Sequence, residues 1–268
     1  MSDPITTVGL GALAAYLGKD GLEKLLGPTA DYLGSGLKDF TQKRVEAVGR
    51  IFASAQGKLG AKADTPGEVP PKVLKSVINE GSYASDPLAV EYFGGILASA
   101  RTEGGRDDRS ARLAKIVDSL STYQLRAHFL IYATVRRLFT GKNLLFNMDG
   151  RPKMQFFVSF DGFASSMASD ARQLQQFGQL LNHILFGLHG DNLIEGQFQY
   201  GNKEHMIKLF AAAPDGGIVC QPSALGGELF LSAFGMADRH LDEIFSDDFP
   251  EFPTGVPDGF AGAVATKA

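Results

Sequence analysis

Apolar residues return every three or four positions through the first half of the chain, a period that predicts helices. From Pro28, which suits a first helical position, Leu33, Leu37, Phe40, Val48, Ile51 and Ala55 line one face of a helix running to about Leu59. The prolines and glycines of Gly60 to Lys72 read as a connector. A short helix with Val73, Leu74, Val77 and Ile78 follows. Asp86 is placed to cap the next helix and Pro87 to start it, with Leu88, Tyr92, Ile96 and Leu97 as its apolar face. Gly94 and Gly95 inside that helix cost about 1 kcal/mol each relative to alanine, so a close helix contact is expected there, made with the following helix of Leu113, Ile116, Val117 and Leu120. Ser121 and Gln124 form the S-x-x-Q of a capping box ahead of Leu125, Phe129, Tyr132 and Leu138.

The pattern changes after residue 140. Asp149-Gly150 between two apolar runs in Asn143 to Phe160 predicts a β-hairpin. A long helix is expected over about Ala171 to Leu188, with Leu174, Phe177, Leu181, Ile184, Leu185 and Leu188 on one face. Two strand-like runs, "EHMIKLFAAA" and "GIVCQP", flank Pro214 to Gly217, and a short helix, "SALGGELFLSAFG", closes the series. The expected architecture is mostly α. A helical region over residues 1–120 precedes a winged-helix-like α+β region over 121–249 with a β-hairpin insertion, and 250–268 form a flexible tail.

Composition narrows the function classes. A chain of 268 residues with 44% apolar residues buries a real core, and a formal charge of -4 gives no general attraction to nucleic acid or anionic lipid. The lone Cys220 excludes an internal disulfide, and the acidic "MSDPITT" start lacks the positive charge of a secretory signal, so a cytoplasmic location is expected. The uncharged run Pro4 to Gly18 falls short of the roughly 20 apolar residues that span a bilayer. It reads as a packing helix, with interfacial membrane contact as the alternative.

No catalytic set emerges. "GLGALA" lacks the preceding strand of a dinucleotide turn, and no G-x-S-x-G elbow occurs. His128, His183, His189, His205 and His240 show no metal-ligand spacing with Cys220, which reads as a buried strand residue. No cofactor or metal is expected. Arg136, Arg137, Lys142, Arg151 and Lys153 face only Asp149 and form a candidate binding patch. The segment Asp238 to Asp258 is acidic and carries Phe245, Phe249 and Phe252, a candidate docking segment for that patch, within one chain or between copies. Specific duplex DNA is disfavoured, because the helix from Ala171 has one arginine and the expected wing tip, Pro214-Asp215-Gly216, is acidic.

The blocks "LEKLLGPTADYLGSGLKDF" (Leu22 to Phe40), "PPKVLKSVINEGSYASDPLAVEYFGGILASA" (Pro70 to Ala100), "IVDSLSTYQLRA" (Ile116 to Ala127), "LLNHILFGLHGDNLIE" and "SALGGELFLSAFG" resemble the bacterial abortive-infection alpha (Abi-alpha) proteins. The resemblance implies a setting in defence against phage and supplies no catalytic residues. The expected role is a non-enzymatic defence component acting by protein association or membrane contact, with a protein partner or homo-oligomer and a phage-derived trigger. The alternative is a nucleic-acid-binding regulator using the winged helix and the basic patch.

Overall fold

The computed structural model describes residues 42–252 and 255–266. The Pro4 to Gly18 run and the first part of the helix expected from Pro28 lie outside them. The described chain is mostly helical, with ten α-helices and a four-stranded antiparallel sheet. It divides into two compact units, the first holding the chain up to Ser119 together with Leu231–Asp238, the second Leu120–Phe230 with Arg239–Ala268.

The first unit is helical. It contains α1 (Gln42–Leu59), α2 (Pro71–Gly81), α3 (Pro87–Ala100) and α4 (Ser110–Ser119). The Asp86 side chain accepts from the Leu88 N–H at 2.8 Å, the cap that the sequence predicts. Val48, Ile51, Phe52, Val77, Tyr92, Ile96, Leu97 and Ala114 are buried together with little or no exposure. Gly94 and Gly95 do mark close contacts, but not with α4. A Cβ on Gly94 would sit within 3.0 Å of Ser54 Oγ on α1, and one on Gly95 within 3.0 Å of the Ala233 carbonyl. The connector after α1 is a 3-10 turn (Gly60–Asp64), clamped where the Arg101 guanidinium donates to the Lys62 carbonyl at 2.9 Å and the Thr65 carbonyl at 2.5 Å.

The second unit is built on α5 (Thr122–Phe139), which starts at the predicted capping box. Gln124 N–H donates to Ser121 Oγ, and Ser121 N–H to Gln124 Oε1. After it come β1 (Phe156–Ser159), α6 (Phe160–Ser166), α7 (Ala171–Gln175), α8 (Phe177–Gly190), β2 (Gln199–Gly201), α9 (Lys203–Leu209), β3 (Gly217–Cys220), α10 (Ala224–Ala233), whose residues from Leu231 on belong to the first unit, and β4 (Val264–Ala265). The sheet order is β2-β3-β1-β4, antiparallel throughout, with Phe156 opposite Cys220 and Ala265, and Gln199 opposite Val219.

Four expectations are corrected in this unit. The Asn143 to Phe160 run is not a hairpin: Asn147 Oδ1 accepts from the Asp149 and Gly150 N–H groups, folding the chain into a tight turn that continues as a 3-10 turn (Arg151–Lys153). Gly150 is there because a Cβ would strike the Leu145 carbonyl, and the one strand of the run, β1, pairs with β3 and β4. The first wing strand is a helix, because the Asn202 side chain accepts from the His205 N–H at 3.1 Å and caps α9, whose Met206 enters a core of Phe157, Ala213 and Val219. The long helix breaks at Gln176, whose backbone (φ -108, ψ 20) separates α7 from α8 and leaves Leu174 exposed.

The tail is the fourth correction. Phe260 is 1% exposed and stacks on Phe163 at 5.1 Å, its N–H donates to Thr134 Oγ1 at 2.7 Å, and β4 pairs with β1. At least one glycine that suggested flexibility instead serves conformation. Gly259 has φ +130, and a Cβ there would press on the Thr134 backbone.

Candidate aromatic and imidazole cleft

Helix α8 buries Leu181, Ile184, Leu185 and Leu188 on one side and turns Asn182, Phe186 and His189 to the other. Phe186 is an apolar residue outside the apolar stripe, and its ring is 57% exposed. Beyond α8, Asn192 takes a left-handed conformation (φ 57), and Leu193 and Ile194 plug the core, with Ile194 bridging to Pro222. The chain then returns along α8 as Gly196 to Tyr200, and the two line a shallow, open cleft of about 400 Å³.

Three rings meet there. Phe198 lies edge-to-face against Phe186 at 5.3 Å and beside His189 at 5.6 Å. Gly196 permits this, since a Cβ would come within 3.0 Å of the His189 ring. The Tyr200 hydroxyl donates to Asn182 Oδ1, and His205 Nε2 lies 3.2 Å from Gln199 Oε1 across the mouth. The site therefore offers aromatic edges and faces to a guest, while the polar tips of Tyr200 and Gln199 already have partners within the protein.

The loop is held from beneath by buried polar groups. Tyr132 OH donates to the Leu193 carbonyl at 2.8 Å and accepts from the Ser223 N–H at 2.9 Å, and Ser223 Oγ donates to the Asn192 carbonyl at 2.6 Å. Burial pushes the Tyr132 phenol above its ordinary range. His128 packs on Tyr132 with ring centroids 4.8 Å apart, and its Nε2–H donates to the Gly226 carbonyl at 3.1 Å. Burial pushes that imidazole down to about 3 and the Cys220 thiol up to about 12. These groups are fixed, protonation-locked supports of the fold.

Comparison with family models, curated proteins and solved structures finds no match.

The basic residues picked from the sequence are partly consumed by the fold. Arg136 donates to the Ser246 carbonyl at 3.0 Å and lies 4.9 Å over the Phe249 ring. Arg137 donates to the Phe260 carbonyl at 2.5 Å and faces Asp258 at 3.7 Å, while Arg151 pairs with Glu195 at 2.7 Å. Lys142 and Lys153 are exposed. The phenylalanines of the acidic segment are half-buried against the same unit: Phe245 by Phe146, Phe249 stacked on Phe230, and Phe252 4.8 Å from Phe129. Asp242 accepts from the Phe146 N–H. The segment thus lies along α5 and the turn after it, within one chain.

Among the described residues no group of three or more His, Cys, Asp or Glu side chains is placed to hold a metal, and no helix is long and apolar enough to cross a membrane. The cleft was missed in the sequence. Two signals point to it: Phe186 out of register with its helix, and the glutamine–aromatic alternation of Gly196-Gln197-Phe198-Gln199-Tyr200-Gly201, the period of a strand.

Proposed function

We propose that this chain is a non-enzymatic component of bacterial defence against phage, of the abortive-infection alpha kind, and that it acts by binding another protein. The defence setting is supported by the resemblance of Leu22 to Phe40, Pro70 to Ala100 and Ile116 to Ala127 to that family. The mode of action is supported by one observation: Phe186 is 57% exposed at an open cleft, with its ring set edge-to-face against that of Phe198. Aromatic residues are enriched in protein–protein interfaces, and two adjoining rings at an open cleft fit that use.

The test is a phage challenge of cells carrying no gene, the intact gene, or Phe186→Ala, with growth curves on overexpression in the absence of phage. Phe186 is exposed, so the variant should keep the melting temperature of the parent. Protection by the intact gene and its loss with Phe186→Ala are expected. Absence of protection against every phage tested removes the defence role, and full protection by Phe186→Ala removes the cleft as the acting surface.

A further inference from the structure

We propose that Met148, at the tip of the turn after α5, is a site of reversible oxidation: hydrogen peroxide converts its thioether to the sulfoxide, and the fold accepts the change. The proposal is independent of the cleft and of the protein-association reading.

Exposure singles the residue out. The chain has six methionines. Met154 and Met206 are 0% exposed, Met167 6%, and Met236 is half-buried, whereas Met148 is 82% exposed, more than any other large apolar side chain among the described residues. That exposure belongs to a turn held on both sides. Phe146 is buried, its ring 6.4 Å from that of Tyr132 and 6.1 Å from that of Phe245, and its N–H donates to the Asp242 carboxylate. Asn147 Oδ1 accepts from the Asp149 N–H at 3.0 Å and the Gly150 N–H at 2.9 Å, and the Arg151 N–H donates to the Asn147 carbonyl at 3.0 Å. With Phe146 plugged into the unit and Asn147 tied to the backbone beyond it, Met148 is turned to solvent together with Leu145.

Given the peroxide, the reaction needs only access to sulfur. A sulfur lone pair attacks one peroxide oxygen, the S–O bond forms as the O–O bond breaks, and the proton of the transferred oxygen passes to the departing hydroxide, which leaves as water. Sulfur is oxidised by two electrons and the peroxide is reduced by the same two. Exposure sets which sulfur is reached first. Cys220, the one thiol, does not compete, because it is buried and burial keeps it protonated.

Position also decides what the added oxygen does to the protein. Met206 packs with Phe157, Ala213 and Val219, and a polar sulfoxide there would lie in the core without water, so oxidation at that residue breaks packing. At Met148 the sulfoxide is hydrated and no packing is lost. What changes is the surface, where the turn keeps Leu145 as its one exposed apolar side chain in place of two. An exposed sulfoxide also stays open to the methionine sulfoxide reductases, one for each epimer, which makes the change reversible.

The experiment treats the full chain with hydrogen peroxide and follows oxygen uptake by mass spectrometry of tryptic peptides. Met148 is the one methionine of the peptide Asn143–Lys153, because trypsin spares the bond between Arg151 and Pro152. In the native protein that peptide should gain its oxygen at least about tenfold faster than the peptides holding Met154 and Met206, a difference that disappears in guanidinium chloride. With one oxygen on Met148 the melting temperature should match that of the untreated protein, the protein should elute earlier from a phenyl column, and the two reductases should remove the oxygen and restore the elution. Met148→Leu, which keeps an apolar side chain and lacks the sulfur, should elute as the parent does and be unmoved by the same dose of peroxide. Native oxidation at Met148 no faster than at Met206 would overturn the proposal, as would a melting temperature that falls in step with Met148 oxidation or a sulfoxide that resists both reductases.

Discussion

Substituting alanine for glycine in a helix removes a flexible residue from the unfolded chain and should stabilise by about 0.5–1 kcal/mol wherever the methyl group has room. Two glycines of the helical unit separate that gain from packing. Gly57 lies in α1, and nothing stands within 4 Å of the position its Cβ would take. Gly95 lies in α3, where the methyl would fall inside 3.0 Å of the Ala233 and Ser232 carbonyl groups at the end of α10. Those obstacles are backbone, and they are held: Gly235 N–H donates to the Ser232 carbonyl at 3.0 Å and Met236 N–H to the Leu231 carbonyl at 3.0 Å, closing the helix C-terminus around Gly235 at φ +78. Ser99 Oγ, one turn along α3, accepts from the Ala237 N–H at 3.1 Å and pins the same turn. Overpacking against such a group costs about 1–3 kcal/mol, more than the helical gain, so the net effect at Gly95 is a loss of about 1–2 kcal/mol. For a chain of this size 1 kcal/mol moves Tm by about 2–4 °C. Gly57→Ala should therefore raise the melting temperature and Gly95→Ala lower it, both followed by far-ultraviolet circular dichroism. If Gly95→Ala melts as high as Gly57→Ala, α3 does not rest on the Ala233 turn and the packing argument for the paired glycines is wrong.

Burial holds His128 at a pKa of about 3, below its ordinary 6.5, with the Gly226 bond opposing. A depressed folded-state pKa gives stability that is complete above about pH 6.5 and is lost as pH falls towards 3, at most about 5 kcal/mol for this one group. Urea midpoints should fall steeply across that window, and His128→Gln, less stable at neutral pH, should show a shallower slope; parallel slopes would refute the assignment. Cys220, with its thiol pushed up to about 12 by burial, should react with a thiol reagent at pH 8 at least about a hundredfold more slowly in the native protein than in denaturant. Equal rates would place the thiol at the surface.

What the sequence revealed was what is encoded locally. The Asp86 cap, the Ser121–Gln124 box, the apolar stripes of α2, α3 and α8 and the strand at Gly217–Cys220 depend on residues within a few positions of one another. The errors arose where partners are far apart. Phe156–Ser159 has the look of one arm of a hairpin, but its neighbours in the sheet come from Gly217–Cys220 and Val264–Ala265, and no local pattern announces either pairing. The glycines of the helical unit were read correctly as contact points and given the wrong neighbour, because spacing along one helix does not say which element lies against it. Glu204 to Leu209 alternates enough to resemble a strand, and only the Asn202 cap and a single buried residue, Met206, tell it apart.

Charge counting matched two segments but not the chemistry that joins them. The cations from Arg136 to Lys153 suggested a patch for the acidic segment, and Arg136 and Arg137 do meet it, but with their guanidinium groups on the carbonyls of Ser246 and of Phe260 just beyond it, and with Arg136 over the Phe249 ring. Arginine suits this work because its planar fork holds carbonyl oxygens while its face lies on an aromatic ring. The acidic, phenylalanine-bearing segment is thereby bound by main-chain oxygens and rings more than by its carboxylates, with Asp258 opposite Arg137 90% exposed and weakly held. Salt should consequently do little to detach it, since screening acts on exposed charge pairs and leaves buried rings untouched.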